Sequence, residues 1–302
     1  MAAAVVETFS IALPHGIELS CRAAGRPGAP LLIFLHGFPE AAFVWDEQLL
    51  HFADRYRCVA PNLRGVEASS APTEVEAYRA KHLLADIVAL IAALGGPAEA
   101  VIAHDWGGAV AWLLAVQQPQ VMQRLVIVNA PHPATFLREM QHNPVQRAAS
   151  AYMNFLCRPD AEALLAQDDF ARLWPFFTGG KTDGAPWLSD VVKDQYRAVW
   201  RAGLHGGCNL YRASPLRPPT AADNSVMALS FAAEAVTVQL PTLVVWGEAD
   251  VALPPALLDG LQAFVPSLAL LRVAEASHWI VHERGPWLAA QIGSYLAATQ
   301  KR

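Results

Sequence analysis

The stretch VIAHDWGGAV, residues 101–110, decides the fold because it joins an apolar strand to a helix through a turn of small residues. Ala103 and the pair Gly107–Gly108 flank Asp105, and a sharp strand-to-helix turn needs small neighbours because larger side chains would clash with it. Such a turn lifts the Asp105 carboxylate above the end of a sheet and beside a helix N-terminus. An Asp that only caps the helix is the ordinary alternative, so the turn alone does not decide the function.

Two further residues stand where a carboxylate nucleophile needs partners. An ester formed on Asp105 must be hydrolysed, which requires a histidine base and an acid that orients it. Asp250 follows the strand pattern TLVVWG and His278 follows the pattern LALLRV, so both are expected where parallel strands end. The order of the three residues along the chain therefore predicts a triad. Glu248 and His282 are close enough in sequence to remain competitors for the acid and the base.

Two backbone N–H groups are candidates for stabilising a tetrahedral oxyanion. One belongs to Trp106, directly after the expected nucleophile. The other belongs to Phe38, in the turn FLHGFPE that follows an early apolar strand. Gly and Pro also punctuate ordinary loops, so this second turn is a weak signal by itself.

The whole chain predicts an α/β domain interrupted by a helical insert. Short apolar runs alternate with helical patterns in both end portions, which is typical of βαβ units in a mostly parallel sheet flanked by helices. The central portion changes to mainly helical segments rich in Arg, Tyr, Trp and Pro. We therefore expect an α/β core of residues 1–132 and 236–302 with a helical cap (lid) of residues 133–235 inserted in it.

Composition limits the kinds of partner. The 302 residues are 54% hydrophobic and 16% charged, with a net charge of -5, which favours a substantial core and argues against a nucleic-acid binder. The sequence shows no apolar run long enough to span a membrane, no basic start of a secretory signal, and no Cys-x-x-Cys pair. We expect a soluble cytoplasmic protein, monomer or homodimer, with a small, uncharged and apolar substrate.

The motifs HGFPE, HDWGG, WGEAD and SHW together resemble those of the epoxide hydrolases that have the α/β-hydrolase fold. The likeness spans residues 31 to about 290 and implies a catalytic triad with an aspartate nucleophile, no metal and no cofactor. It also implies two cap tyrosines that hydrogen-bond the epoxide oxygen. Tyr152 and Tyr211 match these positions, the second because Arg follows it, while Tyr196 in a polar helical segment is the competitor.

The resemblance implies that an epoxide is opened to a vicinal diol in two steps. Asp105 attacks an epoxide carbon while Tyr152 and Tyr211 donate hydrogen bonds to the oxygen. The resulting ester is then hydrolysed by water that His278, oriented by Asp250, activates. The substrate pocket implied by the resemblance includes His36, Pro39, His104, Trp174 and Trp279.

Two other functions are compatible with the same fold. Haloalkane and haloacetate dehalogenases share the aspartate and histidine chemistry, and Trp106 stands where haloalkane dehalogenases hold the halide. However, haloalkane dehalogenases usually carry Asn-Pro or Glu-Pro after the early His-Gly, and haloacetate dehalogenases place Arg where Trp106 stands, so the sequence favours an epoxide hydrolase. Non-catalytic ligand-binding members of the fold tend to lose part of the triad, whereas all three residues are present here.

Overall fold

A central sheet of eight strands organises the computed structural model, which describes residues 4–179 and 185–299. The strands are β1 (Glu7–Ala12), β2 (Glu18–Ala24), β3 (Leu31–Leu35), β4 (Arg57–Pro61), β5 (Ala100–His104), β6 (Leu125–Val128), β7 (Thr242–Gly247) and β8 (Leu268–Val273). Their order across the sheet is β1-β2-β4-β3-β5-β6-β7-β8. β2 is antiparallel to both of its neighbours and all other pairs are parallel. The mostly parallel sheet confirms the predicted fold class.

Helices cover the sheet and also form a long segment inserted between β6 and β7. The helices are α1 (Asp46–Phe52), α2 (Ala80–Ala93), α3 (Asp105–Gln117), α4 (Pro133–His142), α5 (Pro144–Ala149), α6 (Ala151–Leu156), α7 (Ala161–Leu165), α8 (Trp174–Thr178), α9 (Asp190–Ala202), α10 (His205–Ala213), α11 (Ile280–Glu283) and α12 (Gly285–Ala298). Helices α4 to α10 fall within the interval where the sequence predicts a cap; the limits of that cap stay a prediction. The outermost ends of the predicted core, residues 1 and 302, lie outside the described residues. In the described ranges, no helix is both long and apolar enough to cross a membrane.

The central strands bring the ends of distant sequence segments together. Every residue of β3, β5, β6 and β7 is buried, as expected for parallel strands covered on both faces. The edge strand β8 contains only exposed and half-buried residues instead. Because the parallel strands point the same way, the segments that follow β3, β5, β7 and β8 meet at one edge of the sheet.

The turn between β5 and α3 depends on close packing at its two glycines. A side chain at Gly107 would collide with the Leu35 carbonyl group of β3, and one at Gly108 would collide with Ala130 after β6. Glycine at both positions therefore lets α3 begin directly against the sheet. The strand, turn and helix predicted for residues 101–110 are confirmed.

Candidate active site

Asp105 is held in a strained conformation at the start of α3. Its φ of 50° lies in the left-handed region, where a residue other than glycine costs energy and is found preferentially at functional sites. The backbone N–H of Phe38 donates a 2.8 Å hydrogen bond to Oδ1 of Asp105. Gly37 leaves no room for a side chain between this turn and the carboxylate. The turn after β3 thus fixes the carboxylate of Asp105, which lies at the turn between β5 and α3. We call this second turn the elbow.

The structure brings His278 and Asp250 to the same carboxylate. His278 lies between β8 and α11, and its Nδ1–H donates a 2.7 Å hydrogen bond to Oδ2 of Asp250. Its Nε2 lies 3.7 Å from Oδ2 of Asp105. Because Phe38 occupies Oδ1, the second oxygen of Asp105 is the one that faces the imidazole. The three residues have the arrangement of a nucleophile, a base and an orienting acid.

The carboxylate of Asp250 is itself oriented by neighbouring donors. The backbone N–H groups of residues 252–253 donate to its Oδ1, and the side-chain amide of Asn129 donates a 2.8 Å hydrogen bond to its Oδ2. Sequence reasoning missed Asn129, although its position immediately after strand β6 is the signal that could have found it. The competitor Glu248 instead forms an ion pair with Arg272, away from the imidazole.

Tyr152 and Tyr211 approach the elbow from the inserted helices α6 and α10. Their ring centroids are 6.0 Å apart, and the ring of Trp106 lies 5.0 Å from that of Tyr211. Burial raises the pKa of both tyrosine hydroxyls, and the negative charge of Asp105 raises both further. Both hydroxyls therefore keep their protons at neutral pH and can donate hydrogen bonds to a group that reacts with Asp105.

Two cavities meet at these residues. The main cavity, of about 460 Å³, is lined by side chains that include Phe38, Phe176, His278 and Trp279. The α3 cavity, of about 330 Å³, runs beside helix α3. Of the residues that the structure describes, Asp105, Tyr152 and Tyr211 line both cavities. The carboxylate and the two hydroxyls therefore stand at the junction, where a bound molecule would meet all three.

Comparison with known proteins identifies the family. A sequence model described as alpha/beta hydrolase fold matches residues 30–285. Mouse epoxide hydrolase 4 is 31% identical over 294 residues, which cover 95% of this chain and 78% of the relative. The chain belongs to the epoxide hydrolase family of α/β-hydrolase enzymes. The resemblance stated from the motifs is thereby confirmed.

Two further proteins show how far the similarity extends. The AB hydrolase superfamily protein YfhM of Bacillus subtilis is 34% identical over 286 residues, covering 93% of this α/β hydrolase and 95% of the relative. A crystal structure of Bacillus megaterium epoxide hydrolase in complex with an inhibitor superposes with a TM-score of 0.86 at 28% identity. That superposition covers 96% of this chain and 100% of the solved one, so the inserted helices are shared as well as the sheet.

Four side chains predicted for the substrate pocket of this α/β hydrolase are not among the described residues that line the main cavity or the α3 cavity. The His36 ring accepts a hydrogen bond from the backbone N–H of Leu63, and the Pro39 carbonyl accepts one from the Trp200 indole. Trp174 packs on Trp200, with ring centroids 4.7 Å apart. The four residues are His36, Pro39, His104 and Trp174, and their role in the pocket stays a prediction.

A buried polar cluster lies behind the base. The Nε2–H of His104 donates a 2.9 Å hydrogen bond to the backbone carbonyl of His278, and its Nδ1 lies 3.2 Å from Glu40. Tyr196 donates a 2.7 Å hydrogen bond to Glu40, and His282 lies 2.6 Å from the same carboxylate oxygen. These contacts place the competitors Tyr196 and His282 away from Asp105. Sequence reasoning missed Glu40, the last residue of HGFPE, whose carboxylate contacts His104, Tyr196 and His282.

The electrostatics of the site favour a protonated His278 in the resting enzyme. Burial alone would lower the pKa of His278, but the carboxylates of Asp250 and Asp105 outweigh it and raise the pKa to about 9. Removal of the charge of Asp105 would therefore lower the pKa of His278 and favour its neutral form. In the described portion of the chain, no three His, Cys, Asp or Glu side chains are grouped so as to hold a metal ion.

Proposed function

We propose that this enzyme hydrolyses epoxides to vicinal diols through a covalent ester on Asp105. The observation that carries the proposal is the convergence of two tyrosines, Tyr152 and Tyr211, on a strained carboxylate at the junction of two cavities. Ring opening turns the epoxide oxygen into an alkoxide, which needs hydrogen-bond donors that stay protonated. Residues 133–235, which contribute both tyrosines, would then form the cap over the core.

In the first step, Oδ2 of Asp105 attacks one epoxide carbon and the bond from that carbon to oxygen breaks. Supporting this choice of atom, Oδ1 is held by Phe38, whereas Oδ2 faces the junction on the side of His278. The alkoxide takes its proton from one of the two tyrosines, and the other donates a hydrogen bond. The result is a hydroxyalkyl ester of Asp105, with the charge of the carboxylate removed.

In the second step, His278 accepts a proton from a water molecule that attacks the ester carbonyl carbon. The negative charge develops on Oδ1, which the N–H of Phe38 already contacts and which the N–H of Trp106, in the first turn of α3, stabilises from the helix terminus. Loss of one such donor typically costs about 3–4 kcal/mol of transition-state stabilisation. In the collapse of the intermediate, the bond from the Asp105 carbonyl carbon to the diol oxygen breaks, and that oxygen takes the proton held by His278. The proton left on the Asp105 carboxyl group returns to the tyrosine that protonated the first oxygen, so the diol is released and Asp105 keeps one oxygen atom derived from water.

Dehalogenation is the second candidate function, because it would use the same Asp105 and His278. A departing halide needs donors, and the indole N–H of Trp106 is the expected one. In this structure the ring of Trp106 packs edge-on against the ring of Tyr211, with centroids 5.0 Å apart, so the indole lies beside the tyrosines. The arrangement supports an oxygen leaving group held by tyrosines over a halide held by tryptophan.

A substrate panel tests the proposed function. The purified enzyme is incubated with styrene oxide, cyclohexene oxide and epoxydodecane, and in parallel with chloroalkanes and bromoalkanes of similar size. We expect diol from the epoxides and no free halide from the haloalkanes. Halide release without diol formation would reverse the order of the two candidates, and binding of the compounds without turnover would indicate a ligand-binding protein.

Removal of either tyrosine hydroxyl should slow ring opening. Tyr152→Phe and Tyr211→Phe are each expected to lower kcat/KM for styrene oxide by about 10–100-fold, because a hydrogen bond to a charged group contributes about 1.5–3 kcal/mol. The double variant should be slower than either single variant. Tyr295→Phe on α12, which lies outside the linings of both cavities, is the matched control. Full activity of both single variants would mean that other donors hold the oxygen.

A further inference from the structure

Helix α10 rests on the core through two consecutive glycines at its start. Gly206 and Gly207 follow His205, the first residue of the helix, and both are buried. A side-chain carbon on Gly206 would lie 2.3 Å from the Cα of Gly65, so the backbones of these two residues are in direct contact. Such a carbon on Gly207 would lie 2.7 Å from the ring of Phe38. Glycine is a poor helix former, so two in succession weaken α10 unless the contact requires them.

The contact at Gly206 cannot be relieved by rotation of a side chain. The atoms that a side chain there would meet are the Cα, the carbonyl carbon and the oxygen of Gly65, all of them backbone. Gly65 has a φ of 81°, a left-handed conformation that favours glycine. The same end of α10 has a second contact, because Nε2 of His205 lies 2.9 Å from the carbonyl oxygen of Thr73. The start of α10 is thus held against the segment between β4 and α2.

The second glycine shares a helix face with Tyr211. Residues four apart in a helix lie on the same face, so Gly207 and Tyr211 point to the same side of α10. Both meet Phe38, whose ring lies against Gly207 and is 5.4 Å, edge-on, from the ring of Tyr211. The backbone N–H of Phe38 in turn holds Oδ1 of Asp105. The height of α10 above the core therefore sets how far the Tyr211 hydroxyl stands from the carboxylate.

We infer that Gly206 and Gly207 are positioning residues for ring opening, because they let α10 lie close enough to the core for the Tyr211 hydroxyl to reach the epoxide oxygen. This inference rests on the proposed function and deepens it. Neither glycine belongs to the described linings of the main cavity and the α3 cavity, so both act through the position of the helix and not by contact with the substrate. Tyr152 belongs to α6, so displacement of α10 is expected to withdraw one donor and to leave the other.

Substitution by alanine tests the inference, because alanine favours a helix and adds only the carbon that the contact excludes. Gly206→Ala is the main variant. Gly207→Ala is the milder one, since it meets a ring that can turn aside and not a backbone. Gly293→Ala on α12 is the matched control, because a carbon there would lie 3.6 Å from the nearest ring carbon, an ordinary contact. Thermal unfolding shows whether each variant is folded.

The two chemical steps are measured separately with styrene oxide. Alkylation is followed as the covalent adduct that forms in a His278→Ala background, and ester hydrolysis as the loss of the adduct in a rapid-quench single turnover with His278 intact. Gly206→Ala should slow alkylation by about 10–100-fold, the effect of losing one hydrogen bond to a charged group, and should leave hydrolysis within about threefold. Gly207→Ala should slow alkylation less, and Gly293→Ala should change neither rate.

A double-mutant cycle separates positioning of Tyr211 from a general effect on the fold. If α10 has withdrawn the Tyr211 hydroxyl, adding Tyr211→Phe to Gly206→Ala should slow alkylation by less than about threefold more. Adding Tyr152→Phe to Gly206→Ala should still slow it by about 10–100-fold. A purely structural role of the glycine would leave both tyrosine substitutions with their full effects.

Three outcomes would overturn the inference. They are alkylation at the wild-type rate in both glycine variants, equal slowing of alkylation and hydrolysis, and a full effect of Tyr211→Phe in the Gly206→Ala background. If Gly206→Ala does not fold, the same cycle in Gly207→Ala decides between positioning and a structural role. Failure of the proposed function gives a different result, because the enzyme with both glycines intact would then form neither adduct nor diol.

Discussion

Replacing Asp105 with alanine should lower kcat/KM for epoxides by about four to six orders of magnitude, the range expected when a covalent nucleophile is removed. The tyrosines, the base and both cavities remain in this variant, but no atom is left to attack the epoxide carbon. The reaction is followed by diol formation under initial-rate conditions. Residual activity within a factor of about 100 of the wild type would show that Asp105 contributes far less than a nucleophile does.

The strained backbone at Asp105 should lower the free energy of unfolding of the wild type. Because Asp105 has a φ of 50°, Asp105→Gly is expected to raise the free energy of unfolding by about 1 kcal/mol while it abolishes turnover. Thermal or denaturant unfolding of Asp105→Gly and Asp105→Ala measures the free energy of unfolding of each variant and shows that both are folded. An inactive glycine variant that is also less stable than the alanine variant would contradict the strain assigned to the elbow.

Isotope labelling identifies the attacking group directly. With enzyme in excess over epoxide in heavy-oxygen water, the first turnover should place the label in Asp105 and leave the first diol unlabelled. The label is located by mass spectrometry of the peptide that contains residues 101–110. Label in the first diol would mean that water attacks the epoxide itself and would exclude the covalent step.

The parts of the site that the sequence predicts are those that local pattern and sheet geometry determine together. Asp105 is recognisable from its small neighbours, and Asp250 and His278 from the strand patterns that precede them. Parallel strands then bring these ends to one edge of the sheet whatever the distance between them in sequence. The measured 2.7 Å and 3.7 Å contacts of the imidazole are the geometric result of that rule.

Side-chain direction and long-range partners could not be predicted in the same way. Trp174 directly precedes residues 175–176, which line the main cavity. Its own ring nevertheless packs on Trp200, because the aromatic side chains of this region pack on one another. The cluster around Glu40 collects side chains from three separate stretches, including His104 and Tyr196. No local pattern encodes such a meeting. The α3 cavity is likewise formed by the packing of α3 against distant parts of the chain, which include the inserted helices.

Replacing His278 with alanine should trap the ester. Attack by Asp105 needs no proton from an imidazole, so alkylation is expected to continue while ester hydrolysis slows by about three orders of magnitude or more. Intact-protein mass spectrometry should then show one substrate molecule bound covalently to the variant. Asp105→Ala combined with His278→Ala is the control and should show no adduct. A His278→Ala variant that neither turns over nor accumulates an adduct would contradict the two-step scheme.

The pH dependence of the wild type gives a second test of the base. The pKa of His278 is about 9 in the resting enzyme because the carboxylates of Asp250, Asp105 and Glu40 outweigh its burial, and esterification neutralises Asp105. The pKa in the ester should therefore lie below 9, and hydrolysis, which needs the neutral imidazole, should accelerate as pH rises through that lower value. Asp250→Asn removes the carboxylate that raises the pKa of His278 most. The rise of the hydrolysis rate with pH should then occur at still lower pH, while hydrolysis itself becomes slower. The measurement is a rapid-quench single turnover across pH. A hydrolysis limb at or above pH 9 would mean that Asp105 keeps its charge during the reaction, which no alkyl ester allows.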